Sequence, residues 1–334
     1  MKQKNIKSNL EDIYKETINK IDLKFGEGTL QFLGEQNKIF DENNIIKSGS
    51  YFIDKALGIG GYPKGRIIEI YGAESCGKTT IALKAVAECQ KKGERAVYID
   101  AEHALDSTYA QKLGVNLDEI VLCQPSSGEQ TFSIIEALIK TQLVSLIVVD
   151  SVAALTPQQE LNGDFDEQTI GLQARMMSKG LRIIQSLLTD NVTIIFINQI
   201  RDKIGLSYAA GVTTSGGRAL KFFSSLRIEA KKQEVIKNND EAIGFKIKLT
   251  VIKNKLARPL TSAIIDLYFN NGFNYDNEII DIAINEGIIN KSGSWYSYHN
   301  ENIAQGKESM KKVIFANEEL FNKIKQEILD KDLI

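Results

Sequence analysis

Cysteine, proline, histidine and tryptophan are scarce in this chain of 334 residues: three, four, two and one respectively. Cys76, Cys89 and Cys123 form no C-x-x-C pair, and His103 and His299 lie far apart. A disulfide framework and a zinc ribbon are therefore excluded. The N-terminus is charged and polar and lacks an apolar signal region. No apolar run approaches the roughly 20 residues of a membrane span, so the expectation is a cytoplasmic protein with no membrane partner. Neither sign of charge prevails, with a formal net charge of −2. A nucleic-acid site would have to be local, or built by assembling copies. Internal repeats and low-complexity tracts are also missing. What is present is ordinary globular material, 43% hydrophobic and 25% charged. The length points to one large domain with smaller appendages.

The most informative stretch is Gly72-Ala73-Glu74-Ser75-Cys76-Gly77-Lys78-Thr79, which matches G-x-x-x-x-G-K-[ST]. Arg66-Ile67-Ile68-Glu69-Ile70-Tyr71 before it reads as a buried strand, and residues 80–90 after it read as a helix. Strand, glycine loop and helix make a polyphosphate cradle. Glycines let the backbone wrap and point successive N–H groups inward. The helix N-terminus adds partial positive charge. Lys78 is expected to reach the β and γ phosphates, and the Thr79 hydroxyl to ligate Mg2+. The chain is thus read as binding ATP with Mg2+. Cys76 is either a small residue filling a small space or a thiol made reactive by the helix N-terminus.

Ala96-Val97-Tyr98-Ile99-Asp100, Leu146-Ile147-Val148-Val149-Asp150 and Thr193-Ile194-Ile195-Phe196-Ile197-Asn198 read as strands covered on both faces. Helical stretches separate them, as in a parallel α/β sheet. Ligands bind such sheets beyond the carboxyl ends of the strands. The polar residues there are Asp100, Glu102, Asp150, Ser151 and Gln199. Asp150 fits the Mg2+-associated carboxylate of a P-loop NTPase. Glu102 is either the carboxylate that activates the attacking water or an acid at a helix start. Gln199 is set to sense the γ-phosphate, and it precedes a glycine-rich stretch that nucleotide state would move.

Residues 1–40 read as a separate small element. Ser8 and Glu11 form a capping-box signature, Leu10, Ile13, Tyr14, Thr17, Ile18 and Ile21 recur at helical spacing, and Gly26 ends the helix. Its apolar stripe packs either on its own domain or on a neighbouring copy. Residues 41–273 form the α/β core. Two segments break its rhythm, about 156–170 and about 202–217, and long irregular loops in a compact domain are usually functional or disordered. Residues 274–334 form a smaller α+β piece with Trp295, Tyr296 and Tyr298 close together and an amphipathic helix over 317–329.

Several longer motifs resemble the bacterial RecA recombinase family. They are Asp100-Ala101-Glu102-His103-Ala104-Leu105-Asp106, Val149-Asp150-Ser151-Val152-Ala153-Ala154-Leu155-Thr156-Pro157 and Gly171-Leu172-Gln173-Ala174-Arg175-Met176-Met177-Ser178. Asn198-Gln199-Ile200-Arg201, Lys253-Asn254-Lys255 and Gly293-Ser294-Trp295-Tyr296-Ser297-Tyr298 continue the likeness across nearly the whole chain. The resemblance implies an α/β P-loop NTPase core of RecA type with a mainly parallel sheet. It adds a small N-terminal helix/strand element for oligomerisation and a small α+β C-terminal domain as a DNA gateway. The implied function is a DNA-dependent ATPase that forms helical filaments on single-stranded DNA. Such a protein catalyses homologous pairing and strand exchange, and acts as co-protease for SOS repressor self-cleavage.

The resemblance also implies roles residue by residue. Glu102, Lys78 and Gln199 would be catalytic, and the loop from Gly72 through Thr79, with Thr80, would hold the phosphates. Asp106 and Tyr109 would contact the adenine, and Phe269 would lie near the nucleotide. Lys253 and Lys255 would reach a neighbour's nucleotide across an interface that includes Lys221 and Phe222. Such a head-to-tail contact gives open helical assembly. Arg175, Ser178, Arg182, Arg201, Ile204, Gly216, Gly217 and Arg218 would hold single-stranded DNA through phosphate contacts and an apolar wedge. Lys291 and Lys307 would guide duplex DNA.

The sequence departs from the family pattern in places. Asp202 and Arg218 stand where uncharged residues are usual. Leu206-Ser207-Tyr208-Ala209-Ala210-Gly211-Val212 is unlike the usual second loop, and Phe269 replaces a tyrosine. The family's acidic tail is absent from a sequence ending at Ile334, which implies a lower Mg2+ requirement for duplex binding. Two other readings compete. One is a different ATP motor on the same core, such as a ring helicase or the zinc-ribbon repair factor, which the absent cysteine pairs and the well-matched C-terminal domain disfavour. The other is a DNA-coating protein that has lost hydrolysis, which Lys78, Glu102 and Asp150 oppose.

Overall fold

The computed structural model describes residues 2–26, 29–30, 43–164, 171–201 and 213–331. The chain divides into two units, Met1–Asp41 and Glu42–Ile334. In the first, helix α1 spans Lys2–Phe25. It starts upstream of the capping box read from the sequence, so Ser8 lies inside the helix rather than at its N-cap. Residues 2–7 contain no glycine or proline to stop the helix extending back. Gly26 does end it, at φ 110°, with its N–H bonded to Asp22 O at 2.9 Å. Ile13, Tyr14, Leu23 and Phe25 are exposed.

In the second unit, β1 (Ile45–Ile46), α2 (Tyr51–Leu57) and β2 (Tyr62–Pro63) lead into β3 (Ile67–Gly72) and α3 (Lys78–Lys91). Then come β4 (Ala96–Asp100), α4 (Ser107–Lys112), β5 (Val121–Cys123), α5 (Gly128–Thr141) and β6 (Leu146–Asp150). A single 3-10 turn, Val152–Ala154, precedes α6 (Gln158–Asn162), α7 (Leu172–Leu187) and β7 (Thr193–Arg201). The remaining core elements are β8 (Thr213–Thr214), α8 (Ala219–Phe223), β9 (Leu226–Asn238), β10 (Glu241–Asn254) and β11 (Ser262–Tyr268). Among its described residues the first irregular segment contains one short helix, α6. Residues 165–170, at the end of the first irregular segment, and 202–212, most of the second, lie outside the described residues.

One sheet organises this unit, in the order β11-β10-β9-β3-β7-β6-β4-β5, with β8 paired to β7. From β9 to β5 every neighbour runs parallel, and β9, β10 and β11 pair antiparallel. β3, β4 and β6 are buried along their whole length, as their continuous apolar runs predict. Successive residues serve opposite faces. Ile68, Ile70, Tyr98, Val148 and Ile195 join α3 in one core. Ile67, Val97, Ile99, Val149 and Phe196 join α5, α7 and α8 in the other. Gly180 lets α5 and α7 approach closely, since a Cβ there would lie 2.4 Å from the Phe132 ring.

A third core forms among α9 (Tyr275–Asn285), β12 (Ile289–Ser292), β13 (Trp295–Tyr298), β14 (Glu301–Gln305), α10 (Lys307–Ala316) and α11 (Glu318–Asp330). The three strands make their own antiparallel sheet. Glu278 of α9 ties this piece to the core. It accepts from Ser50 Oγ at 2.8 Å and from Phe52 N at 3.2 Å, at the start of α2.

Asp54 of α2 is also buried and accepts from Ser48 N at 3.0 Å. Burial pushes both carboxyls up to about 7, against the opposing pull of their hydrogen bonds. The folded state therefore holds these protons more tightly than the unfolded chain. Their contribution to stability is fully present below the ordinary carboxylate range and is lost as pH rises through about 7. The thermal midpoint should be higher at pH 6 than at pH 8 by an amount on the order of 1–2 kcal/mol of stability. Asp54→Asn with Glu278→Gln should flatten that dependence, measured by circular dichroism melts across the pH range. An unchanged slope would show that these carboxyls do not titrate near 7.

Candidate nucleotide and DNA site

β3 ends at Gly72 and α3 begins at Lys78, so the glycine loop lies between a strand tip and a helix start. Ser75 and Gly77 take left-handed backbone, φ 54° and 86°, which turns the chain into the helix. Gly72 is required by space as well. A Cβ there would sit 2.2 Å from Ala230 O and 2.8 Å from Cys76 Sγ. Ala73, Glu74 and Ser75 are exposed, whereas Lys78 is buried and its Nζ donates to Ala73 O at 2.6 Å. Cys76 is buried against the loop, and burial raises its thiol pKa more than Lys78 lowers it. That opposes the reactive-thiol reading and favours the space-filling one: desolvation of the thiolate outweighs the helix end.

Parallel pairing sets the other functional residues beside this loop. Gly72 is in register with Gln199, and Asp100 with Asp150. Asp150 Oδ2 accepts from Thr79 Oγ1 at 2.7 Å and from Tyr98 OH at 2.7 Å. Burial raises the Asp150 pKa, the two hydrogen bonds lower it, and the Glu102 charge raises it further. A buried carboxylate and a hydroxyl converging at this distance are hard oxygen donors suited to a divalent cation. The peptide bond from Asp150 to Ser151 is cis. Ser151 Oγ donates to Glu102 Oε1, and Gln199 Nε2 donates to the same oxygen at 3.1 Å. Asp100 shapes the turn that carries Glu102. Its oxygens accept from Ala104 N and Leu105 N at 3.2 Å and from Gln124 Nε2 at 3.0 Å.

Asp106 caps α4 by accepting from Thr108 N and Tyr109 N. Tyr109 OH lies 2.9 Å from Thr80 Oγ1, which brings α4 to the start of α3. Phe269 is exposed beside Phe245, ring centroids 5.9 Å apart. Lys253 Nζ donates to Lys221 O at 2.7 Å and Phe222 O at 3.1 Å, and Lys255 Nζ to Phe222 O at 3.5 Å. The two lysines therefore cluster with the expected interface residues, with the Phe222 ring exposed. Burial, then Lys255, lowers the Lys253 pKa.

Arg175, Ser178 and Arg182 fall on one face of α7, with both arginines exposed. Gly216 and Gly217 hold left-handed backbone, φ 79° and 80°. A Cβ at Gly216 would lie 2.8 Å from Val152 Cγ1, and one at Gly217 2.9 Å from Ala174 Cβ. The close of the second segment thus packs between α7 and the residues after Asp150. Arg218 precedes α8 and is exposed, and Arg201 ends β7. Ile204 lies outside the described residues. Lys291 is exposed over the Tyr296 ring, and Lys307 pairs with Asp281 at 2.8 Å. Sequence reading passes over Tyr98, whose only signal is a polar-tipped ring in an apolar strand. It also passes over Glu69, a lone carboxylate in the strand before the loop.

The model of the RecA N-terminal domain matches residues 12–274, and that of the RecA C-terminal domain matches residues 277–332. The chain belongs to the RecA family. "Protein RecA" of Malacoplasma penetrans (strain HF-2) is 49% identical over 314 residues, 94% of each chain. "Protein RecA" of Mesomycoplasma hyopneumoniae (strain 7448) is 48% identical over 324 residues, 97% of this chain and 96% of its own. "Protein RecA" of Bacillus licheniformis is 47% identical over 312 residues, 93% of this chain and 89% of its own. RecA membership accounts for the α/β core with its small C-terminal antiparallel sheet. It makes the chain a recombinase of DNA recombination and repair. Among the described residues no helix is long and apolar enough to cross a membrane.

Proposed function

We propose that this RecA-family chain is a DNA-dependent ATPase that assembles head to tail on single-stranded DNA and catalyses homologous pairing and strand exchange. The observation that carries this reading is the position of Gln199. Its side chain donates to Glu102 at 3.1 Å, while its carbonyl accepts from Ser215 N at 3.4 Å, at the foot of the second loop segment. One residue thus touches both Glu102, which would be the hydrolytic carboxylate, and the segment that would face DNA.

The loop from Gly72 to Thr79 would cradle the triphosphate, with Lys78 neutralising its β and γ charges. Thr79 and Asp150 would hold Mg2+, which when bound offsets charge developing on the phosphates. Glu102, oriented by Ser151 and Gln199, would accept the proton of the attacking water. Tyr98 keeps the Asp150 carboxylate aimed at Thr79. Asp106, Tyr109 and Phe269 would flank the base. Lys253 and Lys255, held beside Lys221 and Phe222, would reach the nucleotide of the next protomer, which makes hydrolysis depend on assembly.

Arg175, Ser178, Arg182, Arg201 and Arg218, with Ile204, Gly216 and Gly217, would hold single-stranded DNA largely through its phosphates. Lys291 and Lys307 of the C-terminal piece would steer duplex DNA. The exposed apolar residues of α1 would dock on a neighbouring copy, recovering about 1.5–3 kcal/mol for each large side chain buried. Repetition along such a filament converts a mildly acidic protomer into a polyvalent DNA binder. Work in the cytoplasm, and stimulation of SOS repressor self-cleavage, rest on the family likeness alone.

The test is ATP hydrolysis with and without single-stranded DNA, paired with electron microscopy. DNA-stimulated turnover and open helical filaments are expected. DNA-independent hydrolysis with closed rings would favour a different motor on the same core. No hydrolysis would favour a coating protein.

A further inference from the structure

Glu69 is a fully buried carboxylate in β3, inside the strand that leads to the phosphate loop. Its Oε2 accepts from Arg227 Nε, on the neighbouring strand β9, at 2.5 Å, and its Oε1 accepts from Asn198 Nδ2, on β7, at 3.0 Å. Asn198 is itself fully buried. Its Nδ2 also donates to Ser215 O at 3.1 Å, and its Oδ1 accepts from Gln199 N at 2.9 Å. One amide therefore binds the loop strand, the backbone of Gln199 and the foot of the second loop segment. Arg227 stacks under the Tyr71 ring, 4.6 Å from its centroid, and is in register with Lys253 on β10.

A buried charge is tolerated only when it is paired and hydrogen-bonded, and this one meets both conditions. A hydrophobic residue at position 69 would serve the core as well, since pairs of this kind often add no net stability. The network uses directional bonds to join elements that the functional reading needs to move together. We infer that Glu69, Arg227 and Asn198 are positioning residues: they hold Gln199 and the Ser215–Gly217 segment in one arrangement and link them, through Arg227, to Lys253. The inference rests on the proposed function. It adds that nucleotide and DNA affinity are coupled through this buried node as well as through the Gln199 side chain.

The test measures binding of a labelled single-stranded oligonucleotide by fluorescence anisotropy, with and without a slowly hydrolysed ATP analogue. Wild type is compared with Glu69→Gln/Arg227→Met, which removes both charges at similar volume, and with Asn198→Ser. Both variants should melt cooperatively and bind the analogue without DNA within about threefold of wild type, while the nucleotide-dependent gain in DNA affinity falls roughly tenfold or more. A merely structural role would lower the melting midpoint and leave that ratio in place, and an unchanged ratio in the folded variants overturns the inference. If the double variant does not fold, Asn198→Ser decides by the same ratio. A wild type with no nucleotide-dependent gain would overturn the functional reading and this inference together.

Discussion

Replacing Glu102 by glutamine should lower DNA-stimulated ATP turnover on the order of 10²- to 10³-fold and leave nucleotide-dependent DNA binding in place. The substitution keeps side-chain length, so Gln199 Nε2 and Ser151 Oγ still have an oxygen to donate to. What disappears is the negative charge that, on the proposed mechanism, would take the water's proton. Lys78, Thr79 and Asp150 are untouched, and their mutual bonds do not pass through Glu102. Nucleotide should therefore bind and persist, and the DNA complex should become longer-lived. The check is steady-state hydrolysis alongside anisotropy on one oligonucleotide. A loss below about tenfold would make Glu102 an acid at the start of a turn and move the water-activating role elsewhere.

An equal mixture of Lys253→Ala and Glu102→Gln proteins should hydrolyse ATP faster than either protein alone. In a head-to-tail assembly each nucleotide would take Glu102 from one protomer and Lys253 from the next. Each pure variant then lacks one component at every site. Random mixing restores both at roughly a quarter of the sites, because the contact is heterologous. Lys253 makes this a sharp test, since within its own protomer its Nζ binds only the carbonyls of Lys221 and Phe222 among the described residues. Co-sedimentation on DNA verifies that the two proteins assemble together. Mixtures no faster than the average of their parts would mean that Lys253 acts within its own chain.

Much of the α/β core was legible because its strands are buried on both faces and read as unbroken apolar runs. Residues 96–100 and 146–150 were delimited to the residue for that reason. The glycine loop announced itself because backbone wrapping needs Gly72 and Gly77 at fixed spacing. The start of α1 is not legible locally, because Ser8 and Glu11 satisfy a capping pattern that the longer helix Lys2–Phe25 overrides. Cys76 has two readings in the sequence, since thiol reactivity depends on desolvation that no motif records. Glu69 and Tyr98 escaped notice because each is one polar residue in an apolar run, and its partner lies on another strand.

By itself the sequence determined the family, four of the parallel core strands and the glycine loop as a candidate phosphate cradle. These depend on residue type at short spacing and on long motifs kept in order. Only the tertiary structure decided which polar groups meet. The register of β3, β4, β6, β7 and β9 brings Asp150 to Thr79, Gln199 to Glu102, and Glu69 to Arg227 and Asn198. Parallel strands are paired by crossovers distant in sequence. The neighbours that set a buried group's charge and aim are therefore specified by the sheet as a whole and by no segment of it.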